Sequence, residues 1–436
     1  ADQLRRAMAT FRKTGIIHTF GEKLVEGMKA RGYDADFAER CFKQIEGFGE
    51  YGFPESHAAS FALIVYVSCW LKCRYPDVFL VAMLNAQPLG FYAPAQLVRD
   101  AREHGVDVRA VDINRSGWDS LLEPEPHGTK ALVGRLHNAH AEMSTAIKAT
   151  YAVRLGFRQI KGLSEEEADR IVDARKTGGA FDSVRDLWLR AGVSRALVMR
   201  LADADAFASI GLSRRDALWA ARGLDGGSGA DEKPLFAHAD IATKEAEARL
   251  PRMPLGEEVI HDYRTLRLSL KAHPVAFLRR TLDRRRFVAN EALRTIRDRM
   301  RVRVAGLVLV RQRPGTASGV IFATLEDETG VANVVIWPRV FERFRKVVLG
   351  ARFMAVEGKV QREGEVIHVV ADRLEDLTPM LSTLSEDYGE TAEAYARADE
   401  FRHGGERADP RVATLDKRQA RDARVRSIIP KSRDFH

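Results

Sequence analysis

LGFRQIKGLSEEEADRIV, residues 155–172, reads as two short helices joined by a tight turn at Ile160–Ser164. Gly162 supplies the backbone freedom that such a turn needs. Ser164 and Glu167 are three apart and form a capping box that opens the second helix. This is the helix-hairpin-helix pattern. Its chemistry is a helix N-terminus whose backbone N–H groups face a phosphate, assisted by the helix dipole. Lys161 adds a cation. A second, weaker copy runs from Phe207 to Asp216, with Gly211 at its turn, Ser213 as cap, and Arg214 and Arg215 beside it. The alternative for both copies is a plain helical hairpin that packs and touches nothing. Backbone contacts carry no base information, so DNA binding through these turns is expected to be independent of sequence.

Downstream of the hairpins the apolar period changes from 3.6 to 2 at Val302. Val302–Arg313, Gly319–Glu328, Val331–Trp337, Arg352–Arg362 and Glu365–Arg373 read as five strands. Pro338–Leu349, between the third and fourth, reads as a helix with Phe341, Phe344, Val347 and Val348 on its apolar side. Five strands with a helix after the third is the order of an OB fold, a small barrel whose open face binds single strands in many proteins. Asp327–Gly330 supplies the turn between strands two and three. Phe322 and Trp337 are candidate stacking surfaces, and Arg311, Arg313 and Arg339 a candidate track for the phosphate backbone. The alternative places Phe322 and Trp337 in the core of a protein-docking module.

Upstream of the hairpins, residues 1–110 read as helical. Asp34 is placed to cap a helix over Ala35–Ile45. A Gly-rich turn follows at Gly47–Pro54. Ser56 is placed to cap a helix from His57 to about Arg74, which Pro76 stops. That helix is apolar nearly all round, a pattern that predicts burial. Residues 151–222 read as short helical units, and residues 224–234, LDGGSGADEKP, as a flexible linker.

Composition agrees with a modular, basic, globular chain. Its 436 residues suggest about three domains. The net charge of +8 and the pI near 9.4 favour an acidic partner such as nucleic acid or an anionic membrane. Three cysteines exclude a disulfide framework and fit a reducing compartment. The longest apolar stretch, Ala58–Leu71, is too short and polar to span a bilayer. The opening ADQLRRAMAT has no signal-peptide pattern, and without a Met it reads as an excerpt of a longer, cytoplasmic chain.

No catalytic centre is visible. Asp34/Asp36 and Asp203/Asp205 have the Asp-x-Asp spacing of two-metal sites, but each sits among helices, without the strand that would turn both carboxylates one way. Cys69 and Cys73 lie one turn apart on the apolar helix and read as core thiols.

Gly49–Ala62, GEYGFPESHAASFA, followed by Trp70–Phe79, WLKCRYPDVF, resembles the fingers region of C-family bacterial DNA polymerases, the DNA polymerase III alpha subunits. The order of fingers, paired hairpins and OB fold is also similar to that family. The ending Ile429–His436, IPKSRDFH, and Pro54-Glu55 before Ser56-His57 resemble its error-prone translesion paralogue. The resemblance implies a DNA-directed DNA polymerase used in damage-induced mutagenesis. It implies that a PHP domain and a palm with Mg2+-binding aspartates precede this region, so that this chain binds no cofactor and is inactive alone. It places Ser56 and His57 near the incoming dNTP, with Lys72 and Arg74 closing the same helix. The implied partners are primer–template duplex, single-stranded template, dNTP and accessory mutagenesis proteins. Lys233–Ala237 shares only Leu235 and Phe236 with the clamp-binding peptide of the replicative relatives, so sliding-clamp recruitment is expected to be indirect and no membrane is involved.

The expected fold is multidomain α+β. It comprises fingers (1–121), a loop connector (122–150), tandem hairpins (151–223), a linker (224–240), a mixed helical connector (241–300), the OB fold (301–377) and a polar, largely disordered tail (378–436). The competing class is a DNA-binding or scaffold protein that never catalyses.

Overall fold

A computed structural model describes residues 16–51, 55–89, 92–224, 250–314, 319–364 and 366–384. The linker, the Lys233–Ala237 segment and the tail beyond 384 lie outside them. The chain divides into one compact unit ending at Cys73 and another running from Arg74 onward.

The first unit contains α1 (Ile16–Lys29), α2 (Ala35–Tyr51) and most of α3 (Glu55–Arg74). The Asp34 carboxylate caps α2 as expected, accepting from the Asp36 and Phe37 amides at 2.9 and 3.2 Å. Two expectations fail here. The turn expected to start at Gly47 is helix as far as Tyr51, because the isolated glycines at 47 and 49 weaken a helix without breaking it. α3 begins at Glu55, so Ser56 lies inside its first turn and is not its cap. A third correction is larger. Phe61, Leu63, Ile64, Val65, Tyr66, Val67 and Trp70 are exposed, as is Cys69. An all-round apolar helix calls for cover on every side, and the described residues leave much of α3 open.

Among the described residues the second unit has three cores. The first joins α4 (Pro76–Asn85), α5 (Pro94–Glu103), a three-stranded sheet and the hairpin helices around Leu80, Val98, Val153, Phe157, Phe181, Leu187 and Phe207. The sheet, β1 (Val108–Arg109), β3 (Tyr151–Arg154) and β2 (Leu121–Pro124), replaces the expected loop and helix at those positions. β3 pairs parallel with β1 and antiparallel with β2. The span 122–150 also holds α6 (Gly128–Gly134) and a 3-10 segment over Asn138–Thr145, so it is not simply a loop. The hairpin helices are α7 (Glu165–Gly178), α8 (Val184–Ala191), α9 (Arg195–Asp203) and α10 (Arg214–Arg222).

The second core fills a closed barrel in the order β4-β5-β6-β8-β7: β4 (Arg301–Gln312), β5 (Ile321–Glu326), β6 (Val331–Ile336), β7 (Phe353–Glu363) and β8 (Val366–Asp376). All five expected strands are present, and closure leaves no sheet edge. The helix after β6 is broken at Phe344 (φ −116°, ψ 25°) into α13 (Pro338–Arg343) and α14 (Arg345–Gly350), α12 being Arg279–Arg284 upstream.

The third core fuses the connector to the barrel. Val259, Ile260 and Tyr263 of α11 (Leu255–Leu266) and Leu282 of α12 pack on Ala305, Leu307, Phe353 and Ala355. Leu377 and Leu381 complete it, so residues 378–384 belong to the folded domain and not to the tail.

The β5–β6 turn is built as expected, with the Asp327 carboxylate accepting from the Thr329 and Gly330 amides at 2.8 and 2.9 Å. Its acids also tie the barrel to the helices. Arg279 holds Asp327 at 2.8 Å and Glu328, while Gln96 of α5 donates to Glu326 at 2.9 Å beside Arg99.

Candidate nucleic-acid interface

The first hairpin turn has the expected geometry. Gly162 is left-handed at φ +80°, with no neighbour closer than 3.8 Å to an added Cβ. Ser164 caps α7 in a full capping box with Glu167. The Lys161 amide is already spent on the Thr265 carbonyl at 2.9 Å, and the Leu163 amide on Ile160. The Glu165 and Glu166 amides, which a helix start leaves without intrahelical partners, and the Gly162 amide in the turn before it have no partner among the described residues and remain for a phosphate. The Lys161 side chain is exposed beside them. A second cation was not legible in the sequence. Arg200 of α9, thirty-eight positions on from Gly162, is exposed and donates through Nη1 to the Gly162 carbonyl at 2.7 Å. The carboxylates of Glu165 and Glu166 are exposed on the same turn, so the amides and both cations act against local negative charge.

The second hairpin keeps the backbone but not the charge. Gly211 is left-handed at φ +77°, and Ser213 caps α10 through the Asp216 amide at 3.4 Å. Arg214, expected to touch DNA, is fully buried. It donates to the Glu258 carboxylate at 2.9 Å and pairs with Asp262. Arg215 pairs with Glu257 at 3.2 Å and donates to the Pro251 carbonyl at 3.0 Å. Both arginines therefore anchor α11, and neither is presented to a phosphate.

On the barrel, Trp337 is 53% exposed and Arg339 and Arg313 are exposed, with Arg313 lying 5.8 Å over the Phe341 ring. Phe322 is half-buried on the outer face of β5. Arg311 departs from expectation. Its guanidinium donates to the Ala351 carbonyl inside the fold, and burial lowers its pKa to about 10. It does not line a backbone track.

The backbone of Ser56 and His57 is helical, and their side chains lie outside the description. Lys72 and Arg74 are half-buried at the end of α3. Three of the four paired aspartates have structural partners, while Asp36 is exposed in the first turn of α2: Asp34 caps α2, Asp203 bonds His261 at 2.8 Å, and Asp205 bonds Lys271 at 2.7 Å. Among the described residues no group of three or more His, Cys, Asp or Glu is arranged to hold a metal ion. No helix among them is long and apolar enough to cross a membrane.

Comparison with known proteins agrees with this geometry. A helix-hairpin-helix motif family matches residues 105–217, and an OB-fold nucleic acid binding domain family matches residues 302–377. "Error-prone DNA polymerase 1" of Rhizobium meliloti is 53% identical over the whole of this chain and 40% of its own length. "Error-prone DNA polymerase" of Mesorhizobium japonicum is 58% identical over 88% of this chain and 34% of its own. That of Ruegeria pomeroyi is 50% identical over 88% and 32%. The chain thus spans about two fifths or less of the relatives it matches. Among solved structures, asparaginyl-tRNA synthetase from Pyrococcus horikoshii matches 21% of this chain and 22% of its own at 28% identity, with a TM-score of 0.19 too low to argue from. Along most or all of its length the chain is thus similar to a part of these error-prone DNA polymerases, and its hairpin region and closed five-stranded barrel match the two domain families in that order.

Proposed function

We propose that this chain is the DNA-holding part of an error-prone DNA-directed DNA polymerase acting in translesion synthesis and damage-induced mutagenesis in the cytoplasm. The hairpin region grips the backbone of the primer–template duplex, and the barrel holds single-stranded template. The first hairpin carries this reading: a Ser164-capped helix start, three uncommitted amides and two exposed cations, Lys161 and Arg200, converge on one turn. That is a phosphate site by charge and by donor geometry. Nucleotide selection at Ser56 and His57, two-metal chemistry with Mg2+ on a palm, and indirect clamp recruitment through accessory proteins complete the proposal for the whole enzyme.

The test is binding of the 436-residue chain to three DNAs at one salt concentration: blunt duplex, single strand and a primer–template junction. Two modules joined in one unit gain effective concentration when both are engaged. The junction is expected to bind at least tenfold more tightly than either simple form. Equal affinity for all three, or none, overturns the reading.

A further inference from the structure

Beyond holding a single strand, the barrel carries a pattern suited to reading it. The strand registers place Thr324, Asn333, His368 and Gln361 in one row, each opposite the next across β5, β6, β8 and β7. Residues directly opposite one another lie about 5 Å apart at Cβ. Two residues along each strand is a second row, Phe322, Val335, Val370 and Lys359. Both rows lie on the outer face, because Ile321, Ala323, Leu325, Ala332, Val334, Val369 and Val360 between them fill the barrel core. A stripe of hydrogen-bonding side chains therefore runs alongside an apolar stripe that begins with a half-buried aromatic ring and ends in an exposed lysine.

The polar row has capacity to spare. Thr324 Oγ1 donates to Asn333 Oδ1 at 3.4 Å, which leaves the exposed Asn333 amide NH2 to donate outward. Gln361 donates its own amide to Glu363 at 2.9 Å, which leaves Oε1 as an acceptor. His368 Nδ1 is shielded from solvent and has no hydrogen-bond partner among the described residues. A histidine tautomer is set by the bond its second nitrogen makes. With none at Nδ1, Nε2 of His368 is free to present either a donor or an acceptor.

We infer that Thr324, Asn333, His368 and Gln361 form a base-edge reading row for single-stranded DNA, with the base stacked on Phe322. This rests on the proposed single-strand role of the barrel and adds to it. Phosphate contacts and stacking tolerate every base, whereas donors and acceptors fixed beside the stacking surface do not. Single-strand binding by this chain is then base-dependent, unlike duplex binding at the hairpins.

The experiment measures affinity of the full chain for 15-nucleotide dT, dC and dA strands by fluorescence anisotropy at fixed salt. The wild type is expected to show at least a fivefold spread among the three. An Asn333→Ala/His368→Ala double variant, altering one exposed and one half-buried outward residue, should compress that spread to under twofold. Phe322→Ala should weaken all three strands alike by about tenfold, as loss of one stacking surface does. Strand stiffness alone can also produce a spread, so the double variant decides. A spread that survives it, or a wild type that binds all three tightly and equally, overturns the reading row and leaves single-strand binding standing. Failure to bind any strand overturns both.

Discussion

Glu326 is the residue whose charge the fold depends on most visibly. It is 5% exposed, and it receives the Gln96 amide at 2.9 Å and the Arg99 guanidinium, both from α5, with His273 Nε2 at 3.8 Å. Burial by itself raises a carboxylate pKa, but the His273 imidazole and Arg99 outweigh it and hold Glu326 at about 2, against an ordinary 4.5. At about 1.4 kcal/mol per pH unit, that gap makes the ionised carboxylate worth about 3 kcal/mol to the folded state. The folded pKa is the depressed one. The contribution is therefore complete above pH 4.5 and is lost as pH falls from 4.5 toward 2. Glu326→Gln keeps the shape and removes the charge, and should lower unfolding stability by about 3 kcal/mol at pH 7. Protonated Glu326 is close to an isostere of Gln, so the difference should shrink toward zero near pH 2. Urea titrations of both proteins at pH 7, 4 and 3 measure this. A pH-independent difference, or one below about 1 kcal/mol at pH 7, would show that the helix–barrel contact does not depend on this charge.

Three further outcomes are expected. Gly162→Val should reduce duplex affinity by about tenfold, because it strains a left-handed turn whose amides face a phosphate, and Gly211→Val should cost less since the cations beside it are paired internally; equal losses in two folded variants would reverse that ranking. Arg214→Ala should lower stability by about 3 kcal/mol by taking the buried guanidinium from Asp262 and Glu258 and leaving Lys271 as their shared cation, and a variant that stayed stable while losing DNA affinity would restore Arg214 to the interface. The 436-residue chain should incorporate no nucleotide in a primer-extension assay, because Asp34, Asp203 and Asp205 are committed to a cap, an imidazole and a lysine; incorporation above a mock preparation would mean that a catalytic cluster had been missed.

The barrel was legible because its strands are long enough for a period of two to repeat, so Val302–Arg313 fell within one residue of β4 at each end. β1, β2 and β3 are two to four residues long, too short for any period, and their pairing joins segments far apart in the sequence. The hairpin turns were legible because Gly162, Ser164 and Glu167 act within one turn of helix. Charge placement was not. Whether an arginine faces DNA depends on acids that the fold brings to it, and Glu258 and Asp262 lie more than forty positions beyond Arg214. Arg311 misled for a similar reason, since strand alternation gives a face but not what covers it. Arg200 was missed because only packing of α9 brings it to the Gly162 carbonyl.

The most direct test of the central claim, that the first hairpin grips a phosphate backbone, is the salt dependence of duplex binding. Each neutralised phosphate contributes about −0.9 to the slope of log K against log salt concentration. Lys161→Ala/Arg200→Ala removes two exposed cations and, within the fold, only the solvent-exposed Arg200–Gly162 hydrogen bond, so the folded protein should bind duplex more weakly, with a slope flatter by about 1.8. An unchanged slope and affinity in that variant would contradict the account and return the hairpin to a purely structural role.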